Sequence, residues 1–297
     1  MKEIAPDIFV ETRYPPYNLG LIVLDEGAIV IDVPPRPSHA RSWLREVQQQ
    51  AGHIAYVVLT DAQPDRLIGA VQWEVPIIAA EETARRLNEL RQDREPWEEL
   101  LLAARERYPE EASALHILEP RRAKLATNQR LLIHCQEPPL VAESVTGAAP
   151  GSLWFFVPAK SILFAGDCVT FNTPPLLEHT PSIQLWTKML ATLAQRRPVQ
   201  RVVPGRGTDV ILRGELETQR EFFRVVQRTA VQLASQHVPG EGLSHAITDI
   251  QQIFFPTISK NSPAMQRLRR GLTYLVQTET SSKQLLEIGD KMISAQE

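Results

Sequence analysis

Two apolar runs, residues 18–24 and 28–33, flank Asp25-Glu26-Gly27. Strand-sized apolar segments on either side of a short polar turn predict a β-hairpin. Pro34 and Pro35 close its second strand, because proline has no N–H to give to a ladder. Trp43, Leu44, Val47 and Ala51 then recur at helical spacing, with Ser38 placed to cap the helix and Gly52 to stop it. Residues 54–59 are apolar at nearly every position, as in an internal strand covered on both faces. That strand delivers the polar segment Thr60-Asp61-Ala62-Gln63-Pro64-Asp65-Arg66 at its C-terminal end, where the binding loops of α/β folds lie.

Residues 81–111 are charged and helix-favouring, with Pro96 and Pro109 as breaks, and predict a helical insertion beside the sheet. Strand patterns resume at residues 116–118, 129–135, 153–157 and 161–165, the last running into Gly166-Asp167-Cys168. Residues 182–194 predict a helix, and residues 201–203 a short strand before Pro204-Gly205-Arg206-Gly207. Three further helices are predicted over residues 215–235, 263–279 and 283–293. Neither a repeat nor a low-complexity linker divides the chain. The expected organisation is an α/β domain over residues 1–212, with the insertion at 81–111, and a helical extension over 213–297 packed on it.

Composition narrows the function classes. With 43% hydrophobic and 23% charged residues, the 297-residue chain can bury a substantial core. A formal charge of −3 offers a polyanion no basic surplus, so a nucleic-acid partner is not expected. Residues 1–12 carry Lys2, Glu3, Asp7 and Glu11 without a long apolar stretch, unlike a secretory signal. The longest apolar runs are strand-sized, far short of the ~20 residues that span a bilayer. Cys135 and Cys168 are too few for a disulfide framework. Together these favour a cytoplasmic protein without a membrane partner, with the C-terminal helices as the expected surface if it forms homo-oligomers.

Four segments, in order, resemble the motifs of the metallo-β-lactamase superfamily. Residues 57–66 look like its strand followed by T-H-x-H-x-D-H, and Gly147-Ala148-Ala149-Pro150-Gly151-Ser152 like its G-H-T-P-G-S turn. Phe164-Ala165-Gly166-Asp167 is similar to its strand ending in G-D, and Pro204-Gly205-Arg206-Gly207 to its P-G-H-G. The resemblance covers roughly residues 8–212 and implies an αββα sandwich with an appended C-terminal helical region.

It also implies where a metal site would lie, and there the sequence departs. The seven positions that hold five histidines and two aspartates in the family read Asp61, Gln63, Asp65, Arg66, Ala148, Asp167 and Arg206. Zinc takes imidazole, thiolate or carboxylate ligands, usually four, whereas arginine cannot shed its proton to become one. A guanidinium a few ångströms from a dication would also repel it, by ~4 kcal/mol per unit-charge pair at ~4 Å and an effective dielectric near 20.

The expectation is therefore a metal-free pseudoenzyme with no cofactor, in which Arg66 and Arg206 pair with Asp65 and Asp167. Such a protein would serve as a binding or assembly module for a protein partner or a small anion, the latter held by the two arginines. The competing expectation is a metal-dependent hydrolase with a divalent cation on Asp61, Asp65 and Asp167, aided by His179 from a loop beyond the motifs. The other histidines, His39, His53, His116, His134, His237 and His245, lie off the motif positions and are expected to be structural or exposed.

Overall fold

A computed structural model describes residues 1–236 and 241–294; His237 falls outside them. Seven strands form the first sheet in chain order: β1 (Lys2–Ala5), β2 (Ile8–Glu11), β3 (Leu19–Leu24), β4 (Gly27–Ile31), β5 (Ile54–Val58), β6 (Ile77–Ala80) and β7 (Leu125–Thr127). The first four follow one another through connections of two to seven residues and run antiparallel. From β4 onward the pairing is parallel, which requires long crossovers. Helices α1 (Pro37–Ala51), α2 (Pro64–Ala70), α3 (Glu81–Gln92), α4 (Arg94–Arg107) and α5 (Ala112–His116) occupy those crossovers. They cover the outer face of the sheet: Trp43 and Val47 of α1 pack on Leu21, Val30 and Val57. Leu67, Leu87, Trp97 and Leu101 pack on Leu59, Ile77 and Ala79.

The second sheet contains β8 (Arg130–Ile133), β9 (Leu140–Ser144), β10 (Leu153–Val157), β11 (Ile162–Phe164), β13 (Arg201–Val203) and β15 (Ile211–Leu212), in that spatial order. A two-stranded ladder, β12 (Thr170–Phe171) with β14 (Arg206–Gly207), stands beside it. Ile22, Ile31, Val58 and Ile78 of the first sheet meet Leu140, Leu153, Phe155 and Phe164 of the second in a shared core. The outer face of the second sheet is covered by α6 (Ile183–Gln195), α7 (Leu216–Gln236), α8 (Glu241–Phe254) and α9 (Pro263–Ser294). Trp186, Phe222, Phe223 and Leu268 bury Trp154, Leu163 and Val202 there. Each such aromatic or aliphatic side chain removed from water contributes ~1.5–3 kcal/mol before entropy is counted. The layers are thus αββα, with the C-terminal helices on the second sheet.

Several local expectations are corrected. Arg36, not Ser38, stands at the N-cap of α1, since Pro37 is already helical. Ser38 instead gives its N–H and hydroxyl to the Glu111 carboxylate, both at 2.6 Å, tying α1 to the end of the insertion. Residues 116–118 form no strand; α5 ends at His116, with Leu115 buried against α4. Pro96 does not break a helix, because it lies in the first turn of α4, where proline is tolerated. Asp93 separates α3 from α4, its carboxylate accepting from the Glu95 N–H at 3.2 Å. The last two expected helices are one, α9.

Two glycines set the geometry at one end of the sandwich. A Cβ on Gly69 would lie 1.8 Å from the Val33 carbonyl oxygen, so its absence lets α2 sit directly on the chain leaving β4. A Cβ on Gly205 would fall 2.5 Å from the Asp167 nitrogen, so glycine is needed where the chain leaving β13 crosses the end of β11.

Candidate functional site

The ends of β4, β5, β11 and β13 converge beneath α2, and each brings a charged side chain. Asp32 follows β4 with φ +57°, a conformation that aspartate tolerates better than most residues. Its carboxylate accepts from the Thr60 N–H at 3.1 Å and from the Thr60 hydroxyl at 2.6 Å. Asp61, just beyond β5, accepts the Gln63 N–H at 2.9 Å, an Asx-type turn that leads into α2 at Pro64. One turn of α2 then aims Arg66 back into the sandwich.

Arg66 is the centre of the arrangement. Its side chain is fully buried. Nε donates to Asp32 at 2.9 Å and Nη2 to Asp167 at 2.9 Å, while Nη1 lies 3.1 Å from Asp61, out of line for a hydrogen bond. The Tyr17 ring lies 4.4 Å from the guanidinium carbon, within cation–π range. Asp167 also accepts from Arg206 Nε at 2.9 Å and from the Gln63 carboxamide at 3.1 Å. Arg206 completes its contacts by donating to the Pro16 carbonyl at 2.8 Å.

Three buried carboxylates therefore face two guanidiniums. Burial raises the pKa of Asp167, but Arg206 and Arg66 outweigh it and hold the carboxyl below the usual range. Asp61 goes the other way. Burial, only partly offset by Arg66 and reinforced by the charges of Asp167 and Asp32, pushes it up to about 6. Above that pH the cluster carries one uncompensated negative charge.

Of the expected residues, Asp61, Gln63, Arg66, Asp167 and Arg206 meet here. Ala148 is buried and offers only a methyl group. Asp65 is the correction: its carboxylate lies 2.8 Å from Arg107 of α4, at a partly exposed site. It takes no part in the cluster except through its main-chain carbonyl, which accepts from the Tyr17 hydroxyl at 3.0 Å. Arg66 pairs instead with Asp32, Asp61 and Asp167. Sequence reasoning missed Asp32 and Tyr17, although Asp32 is the one charged residue in the apolar stretch 28–33. Cys168 is buried and its thiol is pushed up to about 11 by that burial, which leaves it a packing residue.

Above the cluster lies a cavity of about 240 Å³. Gln63 forms part of its wall with Ala62, Pro64, Ala149 and Pro150, and His179, Glu82, Arg85 and Arg86 stand around it. His179 is carried by a loop that α9 holds down: Arg267 donates to the Pro174 carbonyl at 2.8 Å and the Thr173 hydroxyl at 2.7 Å. Gly271 of α9 lies against Leu177, where a Cβ would approach the leucine Cβ to 2.8 Å.

No family model matches the sequence, and no curated protein does. Solved structures match instead. A metallo-β-lactamase family protein from Thermus thermophilus superposes with a TM-score of 0.63 at 15% identity, over 94% of this chain and 95% of that one. A β-lactamase domain protein from Burkholderia ambifaria gives 0.62 at 14%, over 95% and 88%. The DIM-1 metallo-β-lactamase gives 0.55 at 15%, over 75% of this chain and 95% of its own. The chain has the metallo-β-lactamase fold. The first two neighbours match the chain almost from end to end.

Proposed function

We propose that this metallo-β-lactamase fold works without a metal, as a pseudoenzyme whose scaffold serves as a binding module. The observation that carries the proposal is the position of Arg66. Its guanidinium contacts Asp32, Asp61 and Asp167 at 2.9, 3.1 and 2.9 Å, so it fills the space among the carboxylates that a cation would need. The donor set does not fit zinc or iron. It lacks imidazole and thiolate, Ala148 contributes nothing, and among the described residues no three His, Cys, Asp or Glu side chains are grouped to hold an ion. A carboxylate site on Asp61, Asp65 and Asp167 with His179 is disfavoured by the same geometry, because Asp65 faces Arg107.

Without a metal there is no activated water of the kind the fold's hydrolases use. Recognition of an anion by the two arginines is also disfavoured. Arg66 is sealed from solvent, and Arg206 is nearly so and engaged by Asp167 and Pro16. The cavity over Gln63 offers a ligand an open surface beside the cluster.

Elemental analysis of protein purified without chelator tests the reading. Zinc, iron and manganese are expected well below one per chain, and added zinc should leave the unfolding midpoint unchanged. Near-unit metal that is lost on Asp167→Ala would overturn it.

A further inference from the structure

The polarity of the cavity floor can be read from one side chain. Gln63 is 7% exposed, and its carboxamide nitrogen lies 3.3 Å from an Asp61 oxygen and 3.1 Å from an Asp167 oxygen. The orientation of that amide is forced, since the flipped form would set its oxygen against two carboxylates. With the nitrogen turned inward, Oε1 is left for the cavity, and no protein donor reaches it among the described residues. Beneath it lies a cluster with one more carboxylate than guanidinium. Both features favour a donor or a positive charge at the floor and disfavour an anion.

The outer wall is of mixed charge, with Glu82, Arg85 and Arg86 along it. Arg85 is engaged by Glu82 and Glu89 on its own helix, whereas among the described residues Arg86 makes one loose ionic contact, 3.4 Å to Glu89. Arg86 therefore retains donors for a carboxylate arriving from solvent. Between floor and rim the lining is largely Ala62, Pro64, Ala149 and Pro150. At about 240 Å³ the space is below the ~300–1,000 Å³ of drug-sized pockets.

We propose that this cavity binds a small zwitterion, with a primary ammonium donating to Gln63 Oε1, a short apolar body against the alanine and proline surfaces, and a carboxylate at Arg86. The proposal rests on the metal-free reading, because a cation beneath Gln63 would reverse the polarity of the floor.

Titration calorimetry on the full chain, with 5-aminopentanoate, pentylamine and pentanoate as probes, tests it. The expected order is aminopentanoate tightest, then pentylamine, with pentanoate weakest. Gln63→Met keeps the length and removes the carboxamide acceptor; it should weaken both amines about tenfold, the worth of one hydrogen bond to a charged group. Arg86→Gln should remove the advantage of aminopentanoate over pentylamine and leave pentylamine unchanged. Unfolding midpoints of both variants confirm that the folded protein is being titrated. Pentanoate binding more tightly than pentylamine, undiminished amine binding by folded Gln63→Met, or no heat from any probe at millimolar concentration overturns the proposal. Metal content measured on the same samples separates the two failures: anion preference with bound metal sinks the metal-free reading, whereas anion preference in metal-free protein sinks only this one.

Discussion

Asp65 and Arg66 are neighbours in sequence, yet one is a partly exposed surface partner and the other is sealed in the sandwich. Successive helical residues point about 100° apart, so α2 can aim only one of them inward. The two should respond to mutation very differently. Arg66→Met leaves three carboxylates without their shared cation and is expected to cost ~3–5 kcal/mol. Asp65→Ala breaks a partly exposed pair and should cost less than ~1 kcal/mol. Denaturant midpoints measured side by side decide this, and equal effects would contradict the burial contrast.

Asp61 supplies a pH test. Its carboxyl is raised to about 6 in the fold, against roughly 4 in an unfolded chain. Between those values the folded state holds the extra proton, so this group makes stability fall as pH rises. The loss is complete above pH 6 and on the order of 3 kcal/mol. Asp167 has the opposite sign: its contribution is present above about pH 4 and fades on acidification below it. Asp61→Asn should therefore gain on the native protein from pH 4 to 6 and hold that gain at pH 7. A flat difference between their urea-unfolding curves would refute the shift. The motif positions made Asp61, Gln63, Arg66, Asp167 and Arg206 legible in the sequence. Asp32 was not, because its role depends on which strand lies beside β5.

At the scale of elements, α2 shows how closely the site depends on backbone contact. Gly69 touches the Val33 carbonyl where a methyl would lie 1.8 Å away, so Gly69→Ala must push the helix outward and Arg66 with it. The expected cost is at least the ~1–3 kcal/mol of an overpacked core, read as a lower unfolding midpoint. An unchanged midpoint would show that α2 has slack. The internal strands β4, β5 and β10 were legible from uninterrupted apolar runs. The first two strands were not, since Lys2–Ala5 and Ile8–Glu11 have four residues each. A run as short as residues 116–118 does not specify a strand; α5 ends at His116, and Ile117 beyond it is exposed.

Across the whole molecule, the outer face of the second sheet is sealed by α6 together with the helices that follow residue 212. Phe222, Phe223 and Leu268 lie in one cluster with Trp154 and Val202. A chain ending at residue 212 would expose that face and is expected to aggregate or to bind a hydrophobic dye, which light scattering or dye fluorescence would report. A soluble, folded, dye-negative fragment would contradict it.

Arg66 also belongs at this largest scale, because Asp32 and Asp61 follow strands of the first sheet while Asp167 follows a strand of the second. The two halves of the sandwich are cross-linked by a group that translation installs once in every chain. A cross-link made by an ion depends on an outside supply and dissociates at a rate of its own, whereas this one has neither a concentration nor an off-rate. Closure of the sandwich during synthesis should then be indifferent to metal starvation. Refolding from urea is expected to show the same rate and yield with a chelator as with added zinc, and a chelator-sensitive phase would show that an ion helps to join the sheets.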